Sequence, residues 1–353
     1  MTKVDLKDLT LPELTEFVVS LGLKPFRAGQ IFAWLYRPGI RTFGQMTDIA
    51  KEVRQQLAGV ATISHLEVAK EERSADGTVK FGLRLDDNEI IESVLIPEEE
   101  RHTLCVSSQV GCAMGCGFCL TGTMGFKRNL RPSEIVGQVN AASDWLANQG
   151  KPPRLNNLVF MGMGEPLLNF DHLITALKIL MEQRGHDFSG RRITISTCGI
   201  VPKIKALGEA VPVNLAISLH AADDAIRDQL MPINKTYPLD QLLAACREFP
   251  LPPRRRIMME YILIKDLNDS PEQARKLIKR LHGLRCKINL LPYNENEVFP
   301  YQRPPEERME VFQRILRDAG ITTLIRTSRG SDISAACGQL AVQGLDDEDM
   351  EGT

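Results

Sequence analysis

From about residue 102 onward, short apolar segments alternate with helical or polar stretches at a spacing of roughly 30 to 40 residues, the length of a βαβ unit. The segments predicted as strands are HTLCVSS, NNLVFMG, RITIST, VNLAISL, RIMMEYILI and KINLLPY, followed by TTLIRT as a candidate final strand. Repeated βα units assemble into one parallel sheet, so the sequence predicts an α/β fold, a partial (βα)6 barrel. The loops after the strands converge at one end of such a barrel, and an active site is expected there.

The chain before the barrel divides into a helical part and a strand-rich part. Leu11, Leu14 and Val18 recur at helical spacing, whereas later residues alternate in polarity around the turns Asp76-Gly77 and Asp87-Asn88. The predicted organisation is a small N-terminal helical accessory domain at 1–60, a β-hairpin linker at 61–101, the core barrel at 102–340 and an acidic tail, predicted to be disordered, at 341–353.

Composition and charge define only a broad class of protein. The 353 residues are 43% hydrophobic, enough for one large domain and a small accessory one. The N-terminus has no basic stretch followed by an apolar one, and no segment approaches a membrane span, so we expect a cytoplasmic protein without a membrane partner. The net charge of −2 gives no overall nucleic-acid signal, although basic side chains cluster at Lys127-Arg128-Arg131, Arg191-Arg192, Arg254-Arg255-Arg256 and from Lys276 to Lys287.

Three of the eight cysteines, Cys112, Cys116 and Cys119, form a C-x-x-x-C-x-x-C run on a loop interrupted by glycines. Three thiolates at this spacing can hold three irons of a four-iron cluster and leave the fourth iron open to a substrate. A structural zinc ion is the alternative, but it normally takes four Cys or His ligands in two pairs, and neither His102 nor His220 stands at a suitable spacing. Ordinary buried thiols are a third interpretation, which the interleaved glycines disfavour.

At this triplet the chain resembles the radical S-adenosylmethionine superfamily. The resemblance implies one 4Fe-4S cluster per chain, held by the three cysteines, whose open iron is chelated by the amino and carboxylate groups of S-adenosyl-L-methionine. Reductive cleavage of that cofactor then yields a 5′-deoxyadenosyl radical, so the cofactors supply the difficult chemistry and the protein supplies position. An external electron donor such as flavodoxin or ferredoxin is implied as well.

Residues at the strand ends match the cofactor contacts that this resemblance implies. Gly164 lets the backbone approach a ligand closely, and the carboxylate of Glu165 is expected to be free to meet an ammonium group. Hydroxyl groups and an imidazole could bind ribose or carboxylate oxygens, and an amide could reach the adenine or ribose edge. These further residues are Ser196, the Ser218-Leu219-His220 triad and Asn294.

Several longer segments narrow the resemblance. They are CVSSQVGC, GFKRNLRPSEIVGQV, FMGMGEPLLN, RRITISTCG, SLHAADDAIRDQLMPIN, YILIKDLND and AACGQL, and they resemble the RlmN family of dual-specificity RNA methyltransferases over nearly the whole chain. That family implies methylation of carbon 2 of a specific adenine in 23S rRNA and of an adenine in tRNA by a monomeric enzyme. Residues 1–60 are then the predicted RNA contact, together with the basic clusters.

The same resemblance assigns three residues to the reaction itself. Cys337, in SAACGQL, matches a cysteine that accepts a methyl group and becomes S-methylcysteine. Cys105, in LCVSSQ, matches the cysteine that resolves the covalent adduct of enzyme and RNA. Glu92, in IIESVLIP, matches a glutamate with an acid/base role, although from the sequence alone it is only a carboxylate on a strand. A buried small side chain is the plainer interpretation of either cysteine.

Two other functions stay open at this point. The sister family that methylates carbon 8 of an rRNA adenine and confers antibiotic resistance shares the cysteine set and the barrel, but SSQVGC and GMGEPLLN resemble the carbon 2 family more. A non-catalytic RNA-binding protein with a structural zinc loop is the alternative of another class. Iron and sulfide analysis of the purified protein separates the methyltransferases from this non-catalytic zinc protein.

Overall fold

The computed structural model describes residues 3–99 and 101–341. The predicted acidic tail at 341–353 lies outside the described residues except for Ala341. None of the helices in the described ranges is both long enough and apolar enough to cross a membrane.

The strands are β1 Val4–Asp5, β2 Ala61–Thr62, β3 Glu67–Arg73, β4 Val79–Arg84, β5 Ile90–Glu98, β6 Arg101–Cys105, β7 Gln109–Gly111, β8 Phe126–Asn129, β9 Asn157–Phe160, β10 Ile193–Thr197, β11 Asn214–Ser218, β12 Ile257–Leu263, β13 Cys286–Pro292 and β14 Thr323–Ile325. The α-helices are α1 Leu11–Ser20, α2 Phe26–Leu35, α3 Lys51–Val60, α4 Leu120–Thr123, α5 Pro132–Asn148, α6 Phe170–Met181, α7 Val201–Ala210, α8 Asp224–Leu230, α9 Leu239–Glu248, α10 Pro271–Leu281 and α11 Glu306–Asp318.

The barrel sheet is parallel from β6 through β9, β10, β11, β12 and β13 to β14. Helices connect the successive strands, and every residue of β10 is buried, as expected for a strand covered on both faces. The predicted partial (βα)6 barrel with a final seventh strand is confirmed. The strand order starts at β14 and ends at the antiparallel strands, so the barrel does not close on itself.

The two predicted hairpins are present, but they do not form a separate linker. β3, β4 and β5 pair antiparallel around the turns at Asp76-Gly77 and Asp87-Asn88, and β5 then pairs with β6, the first barrel strand. In this register Val94 lies directly opposite Cys105. The hairpins therefore extend the barrel sheet to ten strands and place their side chains beside the first barrel strand.

The N-terminal unit contains three α-helices, α1, α2 and α3. α1 begins with a capping box in which Glu13 accepts from the backbone and hydroxyl of Thr10, and its Leu14 and Val18 are buried. The third helix begins at Lys51, after a 3-10 turn at residues 43–45. The unit is attached to the barrel where the Ser133 backbone N–H, at the start of α5, donates to Asp8 at 2.8 Å.

Candidate active site

A cavity of about 520 Å³ lies where the loops after the parallel strands converge. Its lining includes most of the residues that the sequence singled out: Cys112, Cys116, Cys119, Gly164, Glu165, Ser196, Ser218, His220, Asn294 and Cys337. Three predicted site residues, Cys105, Glu92 and Leu219, do not line it. The cavity also reaches Ile96 beside the first barrel strand and Leu324 on the last, the two sides of the open barrel.

The three cysteines of the loop lie near one another around this cavity. Burial raises the pKa of Cys112 to about 11 and that of Cys116 further, and the charges of Cys119 and Cys112 add to the effect at Cys116. Within residues 3–99 and 101–341, no three His, Cys, Asp or Glu side chains converge on a position that could hold a single metal ion. Three thiolates on one loop match the ligand number of a four-iron cluster with one open iron, whereas a structural zinc ion normally takes four Cys or His ligands.

Glycines shape the loop because other chain segments pass very close to it. At Gly111, which has a φ of 72°, a Cβ atom would lie 1.8 Å from the carbonyl oxygen of Gly125. Gly164 has a φ of 95°, and a Cβ there would lie 2.5 Å from the Cβ of Gln109. Close approach of a ligand, the reason predicted for Gly164, is therefore incomplete. The glycine after β9 is required because the strand-end loop packs against Gln109, the residue that begins β7.

The carboxylate of Glu165 is not free, contrary to the expectation from the sequence. Its Oε1 accepts from the Leu167 backbone N–H at 3.0 Å, and its Oε2 accepts from the Cys198 backbone N–H at 2.7 Å. Burial raises its pKa, and these hydrogen bonds oppose that rise. Each carboxylate oxygen has a second lone pair, so the side chain can still accept from a ligand ammonium while the backbone holds it rigidly.

His220 adopts the left-handed conformation, with a φ of 58°, and is buried. Its Nδ1 accepts from the Ile262 backbone N–H at 3.0 Å, so the neutral ring carries its proton on Nε2 and can donate. Burial, assisted by Arg227, lowers its pKa to about 3, which keeps the ring neutral. Phe118, from the cysteine loop, packs edge-on against this ring at 4.7 Å between centroids.

The other two strand-end predictions have different outcomes. Asn294 lines the cavity, and its Oδ1 accepts from the Ser328 hydroxyl at 2.6 Å, which leaves its amide nitrogen available to donate. Leu219 lies outside the lining, with a buried side chain and a carbonyl that accepts from Arg227 Nε at 3.1 Å. A contact of Leu219 with a ligand through its side chain is therefore not supported by its position.

Cys337 is carried into the cavity by the C-terminal segment, residues 335–341. The Leu120 N–H donates to the Gly338 carbonyl at 2.7 Å, and the Thr121 hydroxyl donates to the Leu340 carbonyl at 2.5 Å. These bonds join the segment to the helical turn that directly follows Cys119. The Cys337 residue is solvent-exposed within the cavity, but the surrounding protein raises its thiol pKa to about 11, through burial first and the charge of Glu260 second.

Cys105 and Glu92 lie beside the cavity on neighbouring strands, beneath its surface. Burial raises the pKa of Cys105 far above its usual range, and Cys337 adds a smaller contribution in the same direction. Glu92 is 5% exposed, and its Oε1 lies 3.3 Å from Lys80 Nζ. Lys80 Nζ also lies 3.0 Å from Glu72 Oε2. Glu92 Oε2 is buried and has no hydrogen-bond partner.

Sequence reasoning missed several charged residues around the cavity. Glu260 lies on β12, lines the cavity and accepts from Asn289 at 3.0 Å, and burial raises its pKa to about 7. A carboxylate inside the apolar segment RIMMEYILI is the signal that could have found it. Arg227 is fully buried and donates to the Leu219 and Cys198 carbonyls, which positions the loops after β10 and β11. Its position in a polar helix gave no such signal.

The basic clusters of the barrel do not surround this cavity. Arg191-Arg192 and Arg254-Arg255-Arg256 directly precede β10 and β12, at the strand ends opposite to the cavity. Lys127 and Arg128 follow the cysteine loop, but Glu89 binds Lys127 at 2.8 Å and Asp87 binds Arg128 at 2.6 Å. Much of this positive charge is therefore directed away from the site or neutralised by the second hairpin.

The open parallel barrel, the three-cysteine loop and the glycine-rich strand end around one cavity together define a radical S-adenosylmethionine protein. The sequence model of the radical SAM superfamily matches residues 106–278. A second model, described as the ribosomal RNA large subunit methyltransferase N-terminal domain, matches residues 4–63. The superfamily implies S-adenosylmethionine and a 4Fe-4S cluster, in agreement with the cysteines present.

Relatives that match nearly the whole chain identify the family within this superfamily. The chain is 56% identical over 344 residues to the dual-specificity RNA methyltransferase RlmN of Desulfotalea psychrophila, covering 96% of this chain and 95% of that protein. It is 51% identical over 343 residues to the protein of the same name in Syntrophobacter fumaroxidans, covering 97% and 99%. The crystal structure of a radical SAM methyltransferase from Sphaerobacter thermophilus superposes with a TM-score of 0.89 at 44% identity, covering 95% and 98%. The chain belongs to the RlmN family of dual-specificity RNA methyltransferases.

Proposed function

We propose that this enzyme methylates carbon 2 of a specific adenine in 23S rRNA and of an adenine in tRNA, acting as a monomer. The observation that carries the proposal is the position of Cys337. Its segment is hydrogen-bonded to the turn after the cysteine loop, and it opens into the same cavity as the three loop cysteines, while Cys105 is buried on β6. This position supports Cys337 as the methyl acceptor.

The proposed cofactor site follows from the same lining. Cys112, Cys116 and Cys119 would hold one 4Fe-4S cluster, while Glu165 and the strand-end residues Gly164, Ser196, Ser218, His220 and Asn294 would contact S-adenosyl-L-methionine. When bound and reduced by a donor such as flavodoxin or ferredoxin, these groups supply an activated methyl group and a 5′-deoxyadenosyl radical. His220 enters this site as a neutral donor, because its Nδ1 is already used by the backbone.

The chain's own cysteines have successive roles in the proposal. Cys337 loses its thiol proton and accepts the methyl group by displacement, which gives S-methylcysteine. The S-methyl group of Cys337 would then give up a hydrogen atom to the 5′-deoxyadenosyl radical, and the resulting methylene radical would add to carbon 2 of adenine, which is too electron-poor to attack a sulfonium methyl itself. Cys105 accepts the proton from carbon 2 of adenine, which allows the adduct to resolve, and Glu92 moves protons beside Cys105. The pKa values of both thiols, raised mainly by burial, require a base for their deprotonation.

The RNA is expected to be held by residues outside the barrel. We propose that residues 1–60 form the RNA-contacting accessory domain and that the barrel, 102–340, performs the chemistry. The target adenine must be unstacked to enter the cavity, because a base that stays stacked in a helix is held between its neighbours and cannot reach an enclosed active site. The hairpin strands β3, β4 and β5 belong to the barrel sheet, and β5 carries Glu92 beside the cavity.

The test compares two cysteine variants that the mechanism places at opposite ends of the reaction. Each variant is incubated with S-adenosyl-L-methionine, a reductant and RNA, and then separated on a denaturing gel. Cys337→Ala lacks the methyl acceptor, so neither methylated protein nor an RNA adduct should form. Cys105→Ala can still form the adduct but cannot resolve it, so protein should stay covalently attached to RNA.

A matched control is Cys246→Ala, which removes a buried cysteine on α9 away from the cavity and should turn over normally. Cross-linking by Cys337→Ala, or normal turnover by Cys105→Ala, contradicts the assigned roles. Nucleoside mass spectrometry of the product RNA identifies the carbon that is modified. Methylation at carbon 8 instead of carbon 2 would show that the chain has the activity of the sister family.

A further inference from the structure

A second cavity, of about 500 Å³, lies in the N-terminal unit and is independent of the active site. It is formed by one face of α3, the 3-10 turn at residues 43–45 and the residues that follow α3. Four cationic side chains line it: Lys3, Arg41, Lys51 and Arg54. Among the described residues, no aspartate or glutamate lines it. We call it the cationic cavity.

The four cations are only partly compensated. Arg41 forms an ion pair with Asp144 of α5. Lys3 Nζ donates to the Ala58 carbonyl at 2.6 Å, and Arg54 donates to the Gly44 carbonyl, so both are positioned by neutral groups. Lys51 forms no ion pair within residues 3–99 and 101–341. Arg54 Nε is a buried donor without a hydrogen-bond partner.

This arrangement requires an anion with several acceptor oxygens. A buried N–H without a partner is costly, and an acceptor that enters the cavity relieves that cost. Arginine binds phosphate oxygens through its planar fork, and lysine adds a point charge beside it. The spacing of Lys51, Arg54 and Ala58 along α3 puts both cations on the face that lines the cavity, with the small Ala58 leaving room beside them.

We propose that the cationic cavity binds phosphate groups of the RNA backbone, and this inference rests on RNA being the substrate as proposed above. On the barrel, Lys127 and Arg128 are paired with carboxylates near the cysteine loop, and Arg191-Arg192 and Arg254-Arg255-Arg256 lie at the strand ends opposite the active site. Within the described ranges, only Arg41 of the cationic cavity is paired with a carboxylate, and the cavity would hold the RNA away from the reacting base. It contributes affinity without reading sequence, because phosphates are the same at every nucleotide.

The test measures RNA binding by the cluster-loaded enzyme without S-adenosyl-L-methionine or reductant. A fluorescently labelled RNA stem-loop is titrated at several KCl concentrations, and anisotropy gives the Kd. Lys51→Gln/Arg54→Gln should raise the Kd about tenfold and lower the slope of log Kd against log salt by about 1.5, the value for two lost phosphate contacts. A second variant, Arg54→Lys, keeps the charge but not the fork and should have an intermediate Kd.

Lys24→Gln/Arg37→Gln is the matched control, since it removes the same charge from exposed positions of the same unit that do not line the cavity. Equal effects of the two double variants, on both Kd and slope, overturn the proposal. Thermal unfolding of both variants must match that of the wild type, and Arg54→Lys provides the comparison if Arg54→Gln is less stable.

Methylation of Cys337 without RNA distinguishes this proposal from the proposed function. The cationic-cavity variant should still methylate Cys337 at the wild-type rate, because the cavity is remote from the cofactor site. If the wild type binds RNA through this cavity but modifies no adenine, the function fails and the cavity assignment stands. If the wild type binds no RNA, the cavity assignment fails as well.

Discussion

Lys80 is expected to hold the buried carboxylate of Glu92 in its charged form, and its removal should destabilise the protein strongly at neutral pH. The Lys80 side chain is 5% exposed and that of Glu92 is 6% exposed, with 3.3 Å between Lys80 Nζ and Glu92 Oε1. Lys80→Met leaves that carboxylate buried without a cation. Breaking a buried ion pair from one side costs about 3–5 kcal/mol of unfolding free energy. Glu72 also binds Lys80, but it is 29% exposed and can turn to water.

The expected pH dependence follows from the pKa of Glu92. Burial raises this pKa above the ordinary 4.5, and Lys80 opposes the rise. A carboxyl whose pKa is raised by folding stabilises the protein fully below its unfolded pKa, and this contribution is lost as the pH rises through the folded value. Without Lys80 the folded pKa rises further. The cost of Lys80→Met should therefore be small near pH 4.5 and full at neutral pH.

Urea unfolding, followed by circular dichroism at about pH 5 and about pH 7.5, measures this cost. Lys80→Met/Glu92→Gln removes the stranded charge and should recover about 2 kcal/mol relative to Lys80→Met alone. Lys127→Met is the matched control, since Lys127 pairs with Glu89 at an exposed position, and it should cost less than about 1 kcal/mol. Equal losses for Lys80→Met at the two pH values, or no recovery in the double variant, would refute the reasoning.

Two further substitutions test the loops of the active site. Gly164→Ala should lower the affinity for S-adenosyl-L-methionine at least about tenfold with the fold retained. The new Cβ would lie 2.5 Å from the Cβ of Gln109, and the backbone φ there is 95°. Calorimetric titration measures the affinity. Arg227→Met should lower the unfolding free energy by about 3 kcal/mol, because it leaves buried carbonyls of the loops after β10 and β11 without their donor. Arg227→Lys should recover less than half of the lost free energy, as measured by denaturant unfolding.

The local patterns of the sequence predicted much of the fold. The strands of the barrel and the helix that contains Leu11, Leu14 and Val18 are present near their predicted positions, because the pattern of apolar residues records which face of each element is buried. The cysteine loop was predictable for a similar reason. Ligands that share one loop are close in the sequence, so Cys112, Cys116 and Cys119 could be related by spacing alone.

Relations between distant segments were decided only by the tertiary structure. The carboxylate of Glu165 is bound by the Cys198 N–H, and Glu92 is paired with Lys80, although neither partner can be inferred from sequence spacing. The attachment of the Cys337 segment to the cysteine loop joins residues more than two hundred positions apart. Such contacts depend on which strands become neighbours in the sheet. Periodicity gives the buried face of a strand, whereas its neighbours are set by the packing of the whole chain.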